Sequence, residues 1–309
     1  MSIEVFGNDH KPSLMAQLIK AQIRWLLRPF LAPWSPLGLQ RGLAGSLQWL
    51  VPGPGGVFTQ QINQHGFSGD CHQPQSDALK NITILYLHGG GYSVCSPKSH
   101  RGLTKRLAIA ARCKVFVPKY RLAPEHPFPA QLSDAQAAFT ALEALGISAD
   151  NIIVIGDSAG AHLSLTLALS RRDAGLPLPR ALVLISPWVD VSLQNMPSDA
   201  DDALLSIPWM TQVRDAFVKK DQWLDPMVSP IQANLKGLPP VLIQFSSLEQ
   251  LSNDAKRLHS ALQEANVKVT SQQWTGLWHD FQLHAGMVLE ATNALEKIAS
   301  FIQGLKKTT

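Results

Sequence analysis

The sequence predicts an α/β protein: a mostly parallel sheet with helices on both faces. Three observations carry that prediction. From residue 82 onward, short apolar runs alternate with helix-length segments, the pattern of successive strand–helix–strand units. One run, IIVIG, passes through Asp157-Ser158-Ala159-Gly160 straight into a helical segment. Another, ITILYLH, is followed at once by Gly89-Gly90-Gly91. Composition agrees, since 309 residues that are 45% hydrophobic and 16% charged suffice for a large core under a modest polar coat. The net charge of +4 is small and its basic residues are scattered, which argues against a nucleic-acid partner. Cys71, Cys95 and Cys113 form neither a CxxC pair nor an even framework. No zinc or disulfide scaffold is expected, and a reducing, cytoplasmic setting fits.

Taken in order, the start MSIEVFGNDHKPS lacks the apolar stretch of a secretory signal. Residues 14–31 carry Leu14, Leu18, Ile19, Ile23, Leu26 and Leu27 at helical spacing. Lys20, Arg24 and Arg28 make the run too charged to span a bilayer. A helix packed on the body is the preferred reading; membrane-surface contact or a lid over a pocket is the sharper one. Residues 33–56, rich in Pro and Gly, read as connectors. Then come strands at 82–88, 113–118, 152–156, 181–186, 240–245 and 269–274. Helices are expected around 99–112, 129–145, 158–172 and 283–304. The 54 residues between Ile185 and Pro240 interrupt this rhythm. An insertion there lies above the carboxyl ends of the strands, where such sheets bind ligands. It reads as a cap, formed around 188–230 together with residues 1–50, over a catalytic domain of 51–309.

The chemistry starts at Ser158. A serine before a helix is most often only an N-cap, but strand–GDSAG–helix is the context of a nucleophile on a sharp turn. Gly156 and Gly160 leave room for that turn, and the helix behind aims its positive dipole end at the site. Three glycines after a buried strand suggest close approach of a ligand to the backbone. In acyl transfer this is an oxyanion hole, with Gly89, Gly90 and Ala159 as the candidate N–H donors. A phosphate cradle is the weaker reading, because neither GxxxxGK[ST] nor GxGxxG is present.

With HGGG at 88–91 and GDSAG at 156–160, in this order, the chain resembles the hormone-sensitive lipase-like (family IV) carboxylesterases of the α/β-hydrolase superfamily. YRLAPEHPFPA (120–130) and Ser186-Pro187-Trp188-Val189-Asp190 resemble that family's other segments, and the likeness runs from about residue 80 to the C-terminus. The resemblance implies an eight-stranded α/β-hydrolase sheet flanked by helices with a helical cap, carboxylic-ester hydrolysis of mostly short acyl chains, no cofactor or metal, and frequent homodimers. It casts Arg121 and Glu125 as a structural bracket, and His88, at the head of the glycine loop, reads as structural.

The triad order in this fold is serine, acid, histidine. His279 in GLWHDFQLH resembles the family's His-Gly-Phe, with Asp280 in place of the glycine. His259 reads as a surface residue of a helix, and His284 as already in the final helix. Asp280 either raises the imidazole pKa or points to solvent. The family's acid stands about thirty residues before the histidine, which is Glu249. Asp254 lies in the first turn of a helix capped by Ser252 or Asn253, where its charge suits the dipole. Candidate substrate contacts are Asp157, Tyr92, Trp188, Trp209 and Trp278. Cys95 stands where the family often has glycine, and is either a reactive thiol or an inert buried one. A small-ester carboxylesterase is the leading function. An amidase or lactone hydrolase, and a non-catalytic ligand-binding module, are the alternatives.

Overall fold

The structure, a computed structural model, describes residues 2–7, 11–64, 67–75 and 82–305. Residues 1 and 306–309, at the ends of the expected 1–50 and 51–309 segments, lie outside them. The strands are β1 (Glu4–Phe6), β2 (Val57–Gln64), β3 (Phe67–Pro74), β4 (Thr83–Leu87), β5 (Lys114–Pro118), β6 (Ile152–Asp157), β7 (Ala181–Ile185), β8 (Val241–Ser246) and β9 (Val269–Trp274). They form one nine-stranded sheet in the order β1-β9-β8-β7-β6-β4-β5-β3-β2. Among the described residues only the β2–β3 and β3–β5 pairings are antiparallel. This is the expected α/β-hydrolase architecture with one strand more than eight. The extra one, β1, spans three residues and pairs with β9 from Glu4↔Gln272 to Phe6↔Trp274. It is too short to leave a periodic signal.

β4 and β6 are buried along their whole length, and successive side chains enter opposite cores, as the period of two requires. Ile152 and Val154 face one core, with α4 (Ala130–Ala144), α5 (Ala159–Asp173) and α7 (Ser252–Glu264). Ile153 and Ile155 face the other, with α3 (Arg101–Ala110) and α8 (Leu289–Gly304). β6 therefore sits mid-sheet, and whatever follows its last residue emerges over the centre of the molecule. The final helix starts later than expected, because a 3₁₀ turn at Phe281–His284 and Gly286 at φ +85° come first.

Two segments outside the strand–helix alternation bear on the site. The first contains α1 (Leu14–Gln22) and α2 (Leu37–Leu50). Ser13 caps α1 by accepting from the Ala16 N–H at 3.3 Å, and the helix buries Ala16 and Ile19. The apolar stripe is only half used: Ile23 is also buried, while Leu14, Leu18 and Leu26 are exposed. Among the described residues no helix is long and apolar enough to cross a membrane. α2 corrects the reading of 33–56 as connector. Its glycines make it a poor isolated helix, so long-range contacts supply the order. Gln40 donates to Ser35 O at 2.8 Å and accepts from Trp209 Nε1 at 2.8 Å. Arg41 reaches Ser93 O at 2.8 Å and clamps Glu125. The second segment, between β7 and β8, carries α6 (Ile207–Phe217), capped by Ser206 and opened by Pro208 in its first turn.

Candidate active site

Ser158 follows β6 and precedes α5, with φ 52° and ψ −117°. A left-handed φ is costly for a residue with a Cβ, and such strain persists only where the surroundings impose it. Here they do. A Cβ on Gly156 would enter the Gly160 carbonyl, and one on Gly160 would enter the Leu87 carbonyl, so the turn closes only with glycine at both places. The Ser158 N–H donates to Ile185 O at 2.8 Å, anchoring the turn to β7. Ala159 is the first residue of α5, where an N–H has no acceptor within its own helix.

The serine faces a cavity of about 70 Å³ whose wall includes Gly90, Cys95, Asp157, His279, Asp280 and Trp209. Leu27, Leu31 and Ala44 close it from the N-terminal segment, and Leu204 and Leu205 from the β7–β8 insertion. A second space of about 10 Å³ adjoins Ser158 and is lined by Gly91, Trp188, Leu205, Trp209, Met210, Val213 and Leu251.

The expectation for Gly89 is corrected. Its N–H donates to Asp157 Oδ2 at 3.0 Å, so that donor is already spent. Gly90, at φ +107°, and Gly91, at φ +58°, follow it in the turn and border the two spaces. Asp157 also departs from the role of substrate contact. Although it borders the cavity, it accepts from Tyr86 Oη at 2.6 Å and from His100 Nε2 at 3.0 Å. Burial opposes its charge, but these donors hold its pKa below the usual carboxylate value. The network ties the glycine loop to β6 and α3. His88 adds to it, with Nδ1 2.8 Å from Gly89 O and its ring stacked on Tyr120 at 4.2 Å.

His279 and Glu249 come to the same place. Glu249, buried in the turn after β8, accepts from Ser186 Oγ at 2.7 Å and from the Ser246 N–H at 3.1 Å. Its Oε2 is 4.0 Å from His279 Nδ1, too long for a hydrogen bond. Burial pushes the Glu249 carboxyl up to about 8, with His279 and Ser186 pulling the other way. His279 Nε2 lies 3.0 Å from Asp280 Oδ2. Asp280 is buried, which rules out the solvent-facing reading, and its φ of +54° suits the glycine of the resembled motif. Cys95, at φ +69°, likewise occupies a glycine-like position. Burial pushes its thiol up to about 12, so it is no thiolate at neutral pH.

Trp188 and Trp209 border the spaces, and the other two aromatic candidates do not. Tyr92 is buried, its hydroxyl 2.5 Å from His162 Nδ1 and its ring stacked on Phe217 at 4.2 Å. Trp278 is buried edge-on to His284 at 5.3 Å. His259 is not a surface residue: it is buried with Nδ1 2.8 Å from Ser271 Oγ. Asp254 stands in the first turn of α7, but α7 is preceded by Leu251 in place of the expected Ser252 or Asn253 cap. Its Oδ2 accepts the N–H groups of Val189 and Asp190 at 2.9 and 3.0 Å, so it fastens the insertion. Arg121 and Glu125 do not bracket together; Arg121 pairs with Asp134 and Glu125 with Arg41. Sequence reasoning missed Asp202, whose Oδ1 is 3.4 Å from the His279 N–H and whose Oδ2 accepts the Gln250 N–H at 3.0 Å. It lies in an insertion without a motif. Among the described residues no group of three His, Cys, Asp or Glu side chains is arranged to hold a metal ion.

A serine on a strained strand–helix turn, mid-sheet and beside a glycine loop, defines the class as an α/β hydrolase. The model of the α/β-hydrolase fold family matches residues 84–283. An esterase of Acinetobacter venetianus is 34% identical over 304 residues, covering 97% of this chain and 98% of its own. An acetyl-hydrolase of Streptomyces hygroscopicus is 37% identical over 224 residues, covering 72% and 75%. The crystal structure of an esterase from the bacterial hormone-sensitive lipase family superposes with a TM-score of 0.89 at 30% identity, covering 96% of this chain and 99% of that one. The chain belongs to the hormone-sensitive lipase-like (family IV) carboxylesterases, and it is a carboxylic ester hydrolase.

Proposed function

We propose that this esterase hydrolyses short-acyl esters through an acyl-enzyme on Ser158, with His279 as general base and Glu249 as the acid that orients it. The observation that carries the reading is Ser158 on its strained turn, sharing one cavity wall with His279. Ser158 Oγ attacks the ester carbonyl and its proton passes to His279 Nε2. The carbonyl oxygen becomes an oxyanion, held by the N–H groups of Gly90, Gly91 and Ala159. The imidazolium then protonates the departing alcohol, and water repeats the sequence to release the acid. Glu249 fixes the ring tautomer once Nδ1 closes the present 4.0 Å gap. The 10 Å³ space beside Ser158 supports an acyl side fitted to acetyl-sized groups. Residues 1–50 and the insertion around 188–230 act as the cap that walls the cavity.

The test is the hydrolysis of a p-nitrophenyl ester series by wild type and Ser158→Ala. Wild type releases nitrophenol fastest from the acetate, and Ser158→Ala loses activity by about 10⁶-fold. Equal slow release by both proteins sinks the assignment.

A further inference from the structure

The nitrogen of His279 that must take the serine proton is not free in this structure. Nε2 lies 3.0 Å from Asp280 Oδ2, and no hydrogen bond between His279 and Ser158 occurs among the described residues. The other ring nitrogen, Nδ1, is buried without a hydrogen-bond partner, as are Glu249 Oε1 and Asp280 Oδ1. The ring's one close polar contact among the described residues is therefore with its sequence neighbour. Asp280 can hold it there because its left-handed backbone folds the carboxylate back onto the preceding side chain.

We infer that Asp280 is a positioning residue: its carboxylate competes with Ser158 for Nε2 of His279, and so sets the ring's resting orientation and the pH at which the base becomes available. The inference rests on His279 being the base. The groups facing His279 are Asp280 from its own loop, Glu249 from the turn after β8, and Asp202 from the insertion. Asp157 at the end of β6, His100 before α3, Tyr86 on β4 and the Cys95 thiol lie beyond Asp280. Burial disfavours the imidazolium, but the Asp280 carboxylate, by charge and by hydrogen bond, outweighs it with help from Glu249 and Asp202, and the ring's pKa rises to about 9. A base with a raised pKa is protonated below it, so kcat/KM falls about tenfold per pH unit on that side.

The experiment is the pH profile of kcat/KM for p-nitrophenyl acetate between pH 5.5 and 9.5. Asparagine tolerates a left-handed φ, so Asp280→Asn removes the charge and keeps the turn. In wild type the acid limb lies well above 7. In Asp280→Asn and Asp280→Gly it moves down by a unit or more, raising kcat/KM at pH 7 about tenfold. Asp280→Glu restores a high limb. Folded variants with the wild-type limb overturn the inference. Nitrogen NMR of wild-type His279, assigned with His279→Gln, decides without any Asp280 variant: titration near 6.5 overturns it, and titration above 8 supports it. His279→Ala with appreciable activity refutes the base assignment instead, which separates the two failures.

Discussion

Met210→Ala should convert a short-acyl enzyme into one that accepts longer chains. Met210 lies on α6, 3% exposed, and lines the 10 Å³ space beside Ser158. A space of that size holds about one water-sized group, so an acetyl methyl fills it. Truncation to alanine removes three heavy atoms, room for about two more methylenes. Each buried methylene contributes about 0.8 kcal/mol, about 1.6 kcal/mol in all, or roughly 15-fold in kcat/KM. The assay is the ratio of kcat/KM for p-nitrophenyl butyrate over acetate, which should rise by that factor. Removing a core methionine also costs about 2–5 kcal/mol of stability. Leu107→Ala, a truncation in the other core, is therefore the control, and its ratio should not move. A folded Met210→Ala protein with the wild-type ratio refutes the acyl assignment of this space. Equal shifts in both variants refute the idea that pocket volume is responsible.

The other predictions concern residues whose assignments the structure changed or sharpened. Glu249→Gln should lower kcat by up to ~10⁴-fold, and near-wild-type turnover would remove it from the triad. Asp254→Asn should leave kcat within a few-fold and lower the unfolding free energy by about 1–2 kcal/mol in urea titration, because it weakens the hold on Val189 and Asp190. Gly89→Ala should lose both stability and activity, since a Cβ there meets the Asp157 carboxylate and lies 2.9 Å from Asp157 O. Loss of kcat alone at unchanged thermal midpoint would return Gly89 to the oxyanion hole.

The centre of this fold was legible because burial on both faces erases ambiguity. β4 and β6–β9 are short apolar or alternating runs bounded by turns, and their bounds fall within a residue or two of those read from the sequence. α2 was not legible: Gly38, Gly42 and Gly45 argue against a helix locally, while Gln40 and Arg41 tie it to partners far along the chain. Motif reading pointed to Ser158, Glu249 and His279, which follow β6, β8 and β9. It misassigned Gly89 because a motif names glycines without saying which N–H group is already taken. It misjudged Tyr92 and Trp278 for a related reason, as a bulky residue beside a site turns either into it or into the core, and one-dimensional spacing does not distinguish the two.

The carboxylates around His279 are not equivalent, and the difference bears on how the base is released. Asp157 keeps Tyr86, Gly89 and His100 as donors wherever the imidazole points. Asp202 keeps the N–H groups of Leu204, Leu205 and Gln250, and Glu249 keeps Ser186 and Ser246. Asp280 Oδ2 has His279 Nε2, and its Oδ1 has no partner. In the proposed mechanism, turning the ring to Ser158 separates this buried ion pair, which carries a cost. Two events lower that cost. Glu249 gains the Nδ1 hydrogen bond it now lacks, and a substrate group with an N–H or O–H donor entering the cavity can occupy the Asp280 carboxylate. In the proposed mechanism, turning His279 toward Ser158 is thus coupled to filling the pocket, so changes at Asp280 should move KM as well as kcat.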